Sequence, residues 1–242
     1  MRLFGLLSKK KEIKPWLKEE YCIPLKANAA FVCNMEDVLE VYTRPNDPER
    51  PLVCMDETNK QLLADLLEPL QVQPGQPQRV DYEYERQGVV DLFMFFEPLG
   101  GKRYVKVTDQ RTRKDWAIAM QELSDVVYPQ VEKIVIVMDN LNTHSPASFY
   151  ETFDPDEARR LINRFEFHYT HKHGSWLNMA EIELGVLIRQ CHTRRIPDKV
   201  TLVREVKAWQ DECNIKVVKV DWRFPKADAR IKLKYLYPVI NV

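Results

Sequence analysis

Three acids stand where apolar segments give way to polar ones: Asp56 in PLVCMDE (51–57), Asp139 in KIVIVMDNLNTH (133–144) and Glu181 in NMAEIELGVLIRQC (178–191). An ionised carboxylate at the edge of a buried segment is costly unless something pairs with it. Three convergent carboxylates suit an oxygen-seeking divalent ion such as Mg²⁺ or Mn²⁺. Two such ions, about 4 Å apart, clamp the attacking and leaving oxygens of a phosphodiester during in-line displacement. Each acid also has a purely structural reading. A strand-end Asp caps the next turn, and Asn140 and Asn142 favour a turn after Asp139. Glu181 lies three residues after Asn178, the spacing of a capping box. Spacing alone leaves both readings open.

The elements that must hold these acids are legible from pattern. The apolar runs before Asp56 and Asp139 read as strands ending at those acids, and in a sheet flanked by helices ligands bind in the crevice beyond the strand ends. VVDLFMFFE and KRYVKVT, joined through PLGG, read as a hairpin. Thr112-x-x-Asp115 opens a helix with apolar residues at Trp116, Met120, Leu123 and Val127. Asp154-Pro155-Asp156-Glu157 reads as an N-cap, a first-turn proline and a capping-box acid. FEFHY (165–169) is a strand, THKHGSW a loop, and 178–191 a largely buried helix. An amphipathic helix is expected over about 199–212. The first fifty residues mix short helical patterns with turns, RPNDPERP (44–51) reads as a linker, and QVQPGQPQ (71–78) as a loop. Antiparallel strands followed by alternating helices and strands imply an α/β fold with a mixed sheet and helices packed on it.

Other chemistry-bearing residues have two readings each. His168, His171 and His173 fall in one segment, but no cysteine lies close and their spacing fits no common zinc pattern, so a polar loop is the expectation. His144 either reaches a scissile phosphate or caps the turn after Asp139. Trp176 reads as core or loop anchor rather than a base-stacking residue. Gly185, one turn beyond Glu181, serves either DNA approach or close helix packing. Glu183 is two residues from Glu181, about 200° around the helix, so the two cannot face one metal site.

Composition bounds the classes. The 242 residues are 45% hydrophobic and 30% charged, as in a globular protein with no membrane-crossing run. The start, MRLFGLLSKKK, puts its charge after a short apolar patch, unlike a signal peptide. Five scattered cysteines without a C-x-x-C pair argue for reduced thiols in the cytoplasm and against a zinc finger. Net charge is zero, with 36 basic and 36 acidic residues, which argues mildly against a nucleic-acid binder; Lys9–Lys11, Arg111–Lys114, Arg194-Arg195 and Lys226–Lys234 are local basic clusters.

The wording of the motifs goes further than their spacing. CMDETNKQL (54–62), VMDNLNTH (137–144) and HYTHKHGSWLNMAEIEL (168–184) resemble bacterial insertion-sequence transposases of the mariner-like superfamily. The likeness continues through DYEYERQG (81–88), FFEPLGG (95–101) and DWRFPKADARIKLKYLYP (221–238), nearly the whole chain. It implies an RNase H-like mixed five-stranded sheet flanked by helices over 51–195, preceded by a remnant of a DNA-binding region and linker (1–50) and followed by a helical extension (196–242). It also implies a DDE triad of Asp56, Asp139 and Glu181 holding two Mg²⁺ or Mn²⁺ ions; Glu57 and Glu183 are not carried over. The implied partners are double-stranded DNA (terminal inverted repeats and a TA target) and a second copy in a homodimer, in the bacterial cytoplasm near the nucleoid. Family members carry helix-turn-helix modules before the catalytic domain; here LLSKKKEIKPWLKEEYCIP (6–24) resembles only the tail of one, which fits a truncated reading frame, a second frame joined to an upstream one by frameshifting, or a misplaced start. A non-catalytic remnant acting as an inhibitor or inert, and a structure-selective RNase H-like nuclease, are the competing expectations.

Overall fold

Five strands lie in the order β3-β2-β1-β4-β5: β1 Leu52–Asp65, β2 Tyr84–Glu97, β3 Lys102–Thr108, β4 Ile134–Asp139 and β5 Phe165–Thr170. They are taken from a computed structural model that describes residues 26–67, 82–191 and 194–239. β1 pairs antiparallel with β2 and β2 with β3, whereas β1–β4 and β4–β5 are parallel. The sheet is therefore mixed, as its hairpin and crossover connections require.

Both faces are covered, which is why β4 and the inner half of β2 read as almost continuous apolar runs rather than alternating ones. Cys54, Leu92, Met94, Phe96, Val135 and Val137 face one core. It is filled by α1 (Ala29–Tyr42), α5 (Met179–Cys191), α6 (Lys199–Lys216) and α7 (Lys226–Lys232). Val53, Met55, Phe93, Phe95, Ile136 and Met138 face the other. There they meet α2 (Arg113–Glu122), the short α3 (Ala147–Tyr150) and α4 (Pro155–Arg164). The expected α/β architecture, a five-stranded mixed sheet flanked by helices, is the observed one.

The local helix signals act as read. Thr112 and Asp115 form a reciprocal capping box at the start of α2, which ends in a π turn over Leu123–Val127. Asp154 accepts from the Asp156 and Glu157 N–H groups at the start of α4. The Glu157 carboxylate, however, turns to Arg160 and Gln121, because an arginine one turn along is a stronger partner than a cap N–H.

Three expectations are corrected. β1 does not end at Asp56; it runs to Asp65, its outer half paired with β2 across a shifted register between Leu62 and Leu63. The segment before residue 50 contains a 14-residue helix, capped by Asn28, with Phe31, Met35, Val38 and Leu39 fully buried. α6 extends four residues beyond the expected end, to Lys216, where Val217 takes a left-handed conformation that stops it. The loop at 71–78 and the segment 6–24 lie outside the described residues.

Candidate active site

Register brings the two aspartates side by side. In the parallel pair, Leu52 lies opposite Val135, Val53 opposite Ile136 and Cys54 opposite Val137. Two residues further along both strands, Asp56 falls level with Asp139, and alternation turns both to the face of Cys54 and Val137. That is the face covered by α5. β4 stops at Asp139 while β1 continues, so Asp139 stands at the crevice and Asp56 on a strand still paired with β2 opposite Met94.

Glu181 reaches this point through Asn178. The Asn178 side-chain amide donates from Nδ2 to the Met55 carbonyl at 2.8 Å and accepts from the Ala180 N–H at Oδ1, 3.1 Å. One buried residue thus caps α5 and fastens it to the peptide preceding Asp56. Glu181 sits in the first turn of that helix. The capping-box alternative is not realised as a shared pair: one Glu181 oxygen, Oε2, is buried with no hydrogen-bond partner among the described residues.

The electrostatics are those of crowded acids. Burial pushes the Asp56 carboxyl up to about 7, and the nearby Glu57, Asp139 and Glu181 carboxylates add to the rise. The Glu57 N–H, donating to Asp56 Oδ1 at 2.8 Å, opposes it. Burial also raises Glu181, against a bond from Ser175. An orphaned buried carboxylate oxygen and a set of hard oxygen donors fit a divalent cation such as Mg²⁺ or Mn²⁺, whose charge would reverse these shifts.

Residues 51–203 match the DDE superfamily endonuclease family, a span that contains all three acids. The chain belongs to that family. No curated protein matches it significantly. Among solved structures, the mariner Mos1 paired end complex with Mg aligns with a TM-score of 0.54 at 15% identity, over 98% of this chain and 72% of that one. The Mos1 mariner paired end complex with Mn aligns at 0.53 and 14%, over 89% and 66%. The Mos1 strand transfer complex aligns at 0.52 and 14%, over 97% and 67%. At such identities the likeness is one of fold, and that fold is RNase H-like. The chain spans about two thirds of the length of these structures.

Around the acids of this DDE domain lie residues that motif reading did not assign. Glu57 points to the opposite face from Asp56, with its side chain only 4% exposed. His144 is 2% exposed and lies between Glu57 and Asp139: Nδ1 is 2.5 Å from Asp139 Oδ1 and Nε2 is 3.3 Å from Glu57 Oε2. Burial works against the imidazolium, yet the Asp139 bond and the Glu57 carboxylate outweigh it and raise the His144 pKa. His144 therefore neither caps the turn nor faces the crevice, because Asp139 and Glu57 bind it more strongly than a peptide N–H would. The signal was present in the sequence, an acid directly after Asp56 and a histidine five residues after Asp139.

Glu183, as its position on the helix required, serves elsewhere. It accepts from Arg103 Nε at 2.8 Å in a buried pair. The three histidines of the 168–173 segment part company: His168 meets Asp37 and Glu166, and His171 meets the Lys172 carbonyl and the Phe31 ring. Trp176 packs on the core edge against Phe224. A Cβ at Gly185 would meet only the flexible end of Arg189, so tight helix packing is not what requires glycine there. Beside Asp139 opens a cleft of about 500 Å³, lined by Asn140, Asn142, Thr170, Lys172 and His173 among others.

Proposed function

We propose that this chain is the catalytic domain of a mariner-like insertion-sequence transposase, with Asp56, Asp139 and Glu181 as its metal-holding triad. One observation carries the reading. Within the matched DDE span, continuing the β1–β4 register sets Asp56 level with Asp139, and Asn178 ties the helix that carries Glu181 to the Met55 carbonyl, with a Glu181 oxygen left unpaired.

The side chains suit DNA strand cleavage and strand transfer. Asp56 and Asp139, fixed on adjacent strands, and Glu181, fixed on the covering helix, would hold Mg²⁺ or Mn²⁺ in two positions. When bound, such ions would supply charge stabilisation to a phosphodiester attacked by water or by a DNA 3′-hydroxyl. The cleft beside Asp139 brings Lys172 and His173 to where a phosphate backbone would lie. The substrate on this reading is double-stranded DNA, terminal inverted repeats joined to a TA target by a dimer. Solved Mos1 paired-end and strand-transfer complexes, similar in fold, support that choice.

The test is cleavage of element-end DNA in Mg²⁺. Asp139→Asn removes several kcal/mol of transition-state stabilisation and is expected to lower the rate by roughly 10²-fold or more. Cleavage that survives in the variant overturns the assignment. Mg²⁺ binding without cleavage of any DNA points to the non-catalytic remnant, and cutting indifferent to element ends points to a structure-selective nuclease.

A further inference from the structure

We infer that His144 is a positioning residue for Asp139: anchored on Glu57 from the far face of the sheet, it holds one Asp139 oxygen so that the other is presented to Asp56 and Glu181. This rests on the triad reading above and adds to it a support that neither the family match nor the motif likeness assigns.

The need arises from where Asp139 sits. It is the last residue of β4, the chain leaves the sheet directly after it, and its side chain is 27% exposed. A strand-end carboxylate with water on one side has several rotamers of similar energy, and a metal site built on such a residue is loose. His144 removes that freedom. Its Nδ1 takes Asp139 Oδ1 at 2.5 Å, leaving Oδ2 free of it.

The ring itself is held on every side. It stacks on Trp116 at 5.9 Å and 24°, and Trp116 is fully buried against Phe149. The His144 backbone N–H donates to the Leu141 carbonyl at 3.0 Å, closing the turn that returns the ring beneath Asp139. Glu57 Oε2, buried and without a hydrogen-bond partner among the described residues, faces Nε2 at an ion-pair distance of 3.3 Å. Glu57 follows Asp56 on β1, so the clamp ties the two aspartates' strands together from behind.

A direct ligand role is the competing use of the same atoms, since donor atoms of Glu57, Asp139 and His144 lie within 4.8 Å of one another. The geometry disfavours it. Metal bonds of about 2.0–2.1 Å hold neighbouring donors roughly 3 Å apart, and a 2.5 Å contact between Nδ1 and Oδ1 leaves no place for an ion between them. The Arg111 guanidinium, 3.9 Å from Glu57 Oε1, supplies positive charge there already.

The experiment measures Mn²⁺ affinity of the full chain by calorimetry without DNA, with unfolding in chelator as the check on folding. Loss of a partner that orients a metal-binding side chain typically lowers affinity 10–100-fold. His144→Ala is expected to fall in that range, His144→Gln to recover part of it through its amide N–H, and Glu57→Gln to show a smaller loss. Should His144→Ala fail to fold, His144→Gln and Glu57→Gln carry the test. Wild-type Mn²⁺ affinity in the folded His144 variants overturns the clamp while leaving the triad standing. Nitrogen hyperfine coupling to bound Mn²⁺ that disappears in His144→Gln reveals a ligand and overturns it as well. If Asp139→Asn binds Mn²⁺ like the wild type, the triad reading itself fails.

Discussion

Asn178 ties the first turn of α5 to the strand that carries Asp56, and the Arg103–Glu183 pair anchors the same helix further along. Asn178 is 1% exposed and satisfies both the first turn of α5 and the Met55 carbonyl. Asn178→Ala removes a cap and strands a buried carbonyl, together about 1–3 kcal/mol. Chemical denaturation should show that loss, and Mn²⁺ affinity should fall with it, because Glu181 loses its fixed approach to Asp56. Arg103 is more deeply committed: it bonds Glu183, the Gly101 and Val218 carbonyls, and lies 4.4 Å over the Phe96 ring. Glu183→Leu leaves that guanidinium buried with no counter-charge and is expected to cost roughly 3–5 kcal/mol. The double change with Arg103→Met should be milder, since it removes the stranded charge and leaves only the Gly101 and Val218 carbonyls without their donor. A denaturation series in which the double variant is as unstable as the single would contradict this.

At the scale of elements, the informative contact is α6 against the sheet edge. β3 is an edge strand, and its outer peptide groups are taken by amides rather than by another strand. Asn214 Oδ1 accepts from the Arg103 N–H at 2.7 Å while Nδ2 donates to its carbonyl at 2.9 Å. One helical turn earlier, Gln210 Oε1 accepts from the Val105 N–H at 2.8 Å. The helix thereby occupies an edge that would otherwise offer itself to another chain. Asn214→Ala is expected to destabilise by about 1–3 kcal/mol and to raise concentration-dependent aggregation, which light scattering would register. Aggregation unchanged from the wild type would mean that packing alone shields the edge. α5 shows how rotation assigns roles: about 200° of helix separates Glu181, whose charge is felt at Asp56, from Glu183, which turns inward to Arg103.

For the molecule as a whole, gathered acids make stability depend on pH and on divalent ions. Asp56 titrates near 7 when folded, its carboxyl raised by burial and by neighbouring acids, and near 3.9 in an unfolded chain. A raised folded value means that the native state keeps a proton that the unfolded state has released. The contribution is therefore full below about pH 4 and is lost as pH rises through 7. The metal-free chain should melt at lower temperature at pH 8 than at pH 5.5, by on the order of 2–3 kcal/mol at this group. Mg²⁺ or Mn²⁺ should narrow the gap by binding only the folded state. Equal melting temperatures across that range without metal would place Asp56 in a wetter setting than its burial indicates.

What could be read without coordinates was whatever depends on near neighbours. The Thr112–Asp115 box, the Asp154 cap with its proline, the strand before Asp139 and the buried helix after Asn178 each rest on contacts within a few residues. The motif wording around the three acids added the family's fold, which pattern alone left as a mixed sheet with helices. The turn histidine and the acid after Asp56 were visible as letters but not as a unit, because Glu57 and His144 meet only when β1 lies beside β4. Asn178 and Met55 are 123 residues apart, and Arg103 and Glu183 are 80 apart. No local propensity encodes such pairs. They are selected by strand register and by which helix face must be buried, and those are properties of the assembled sheet.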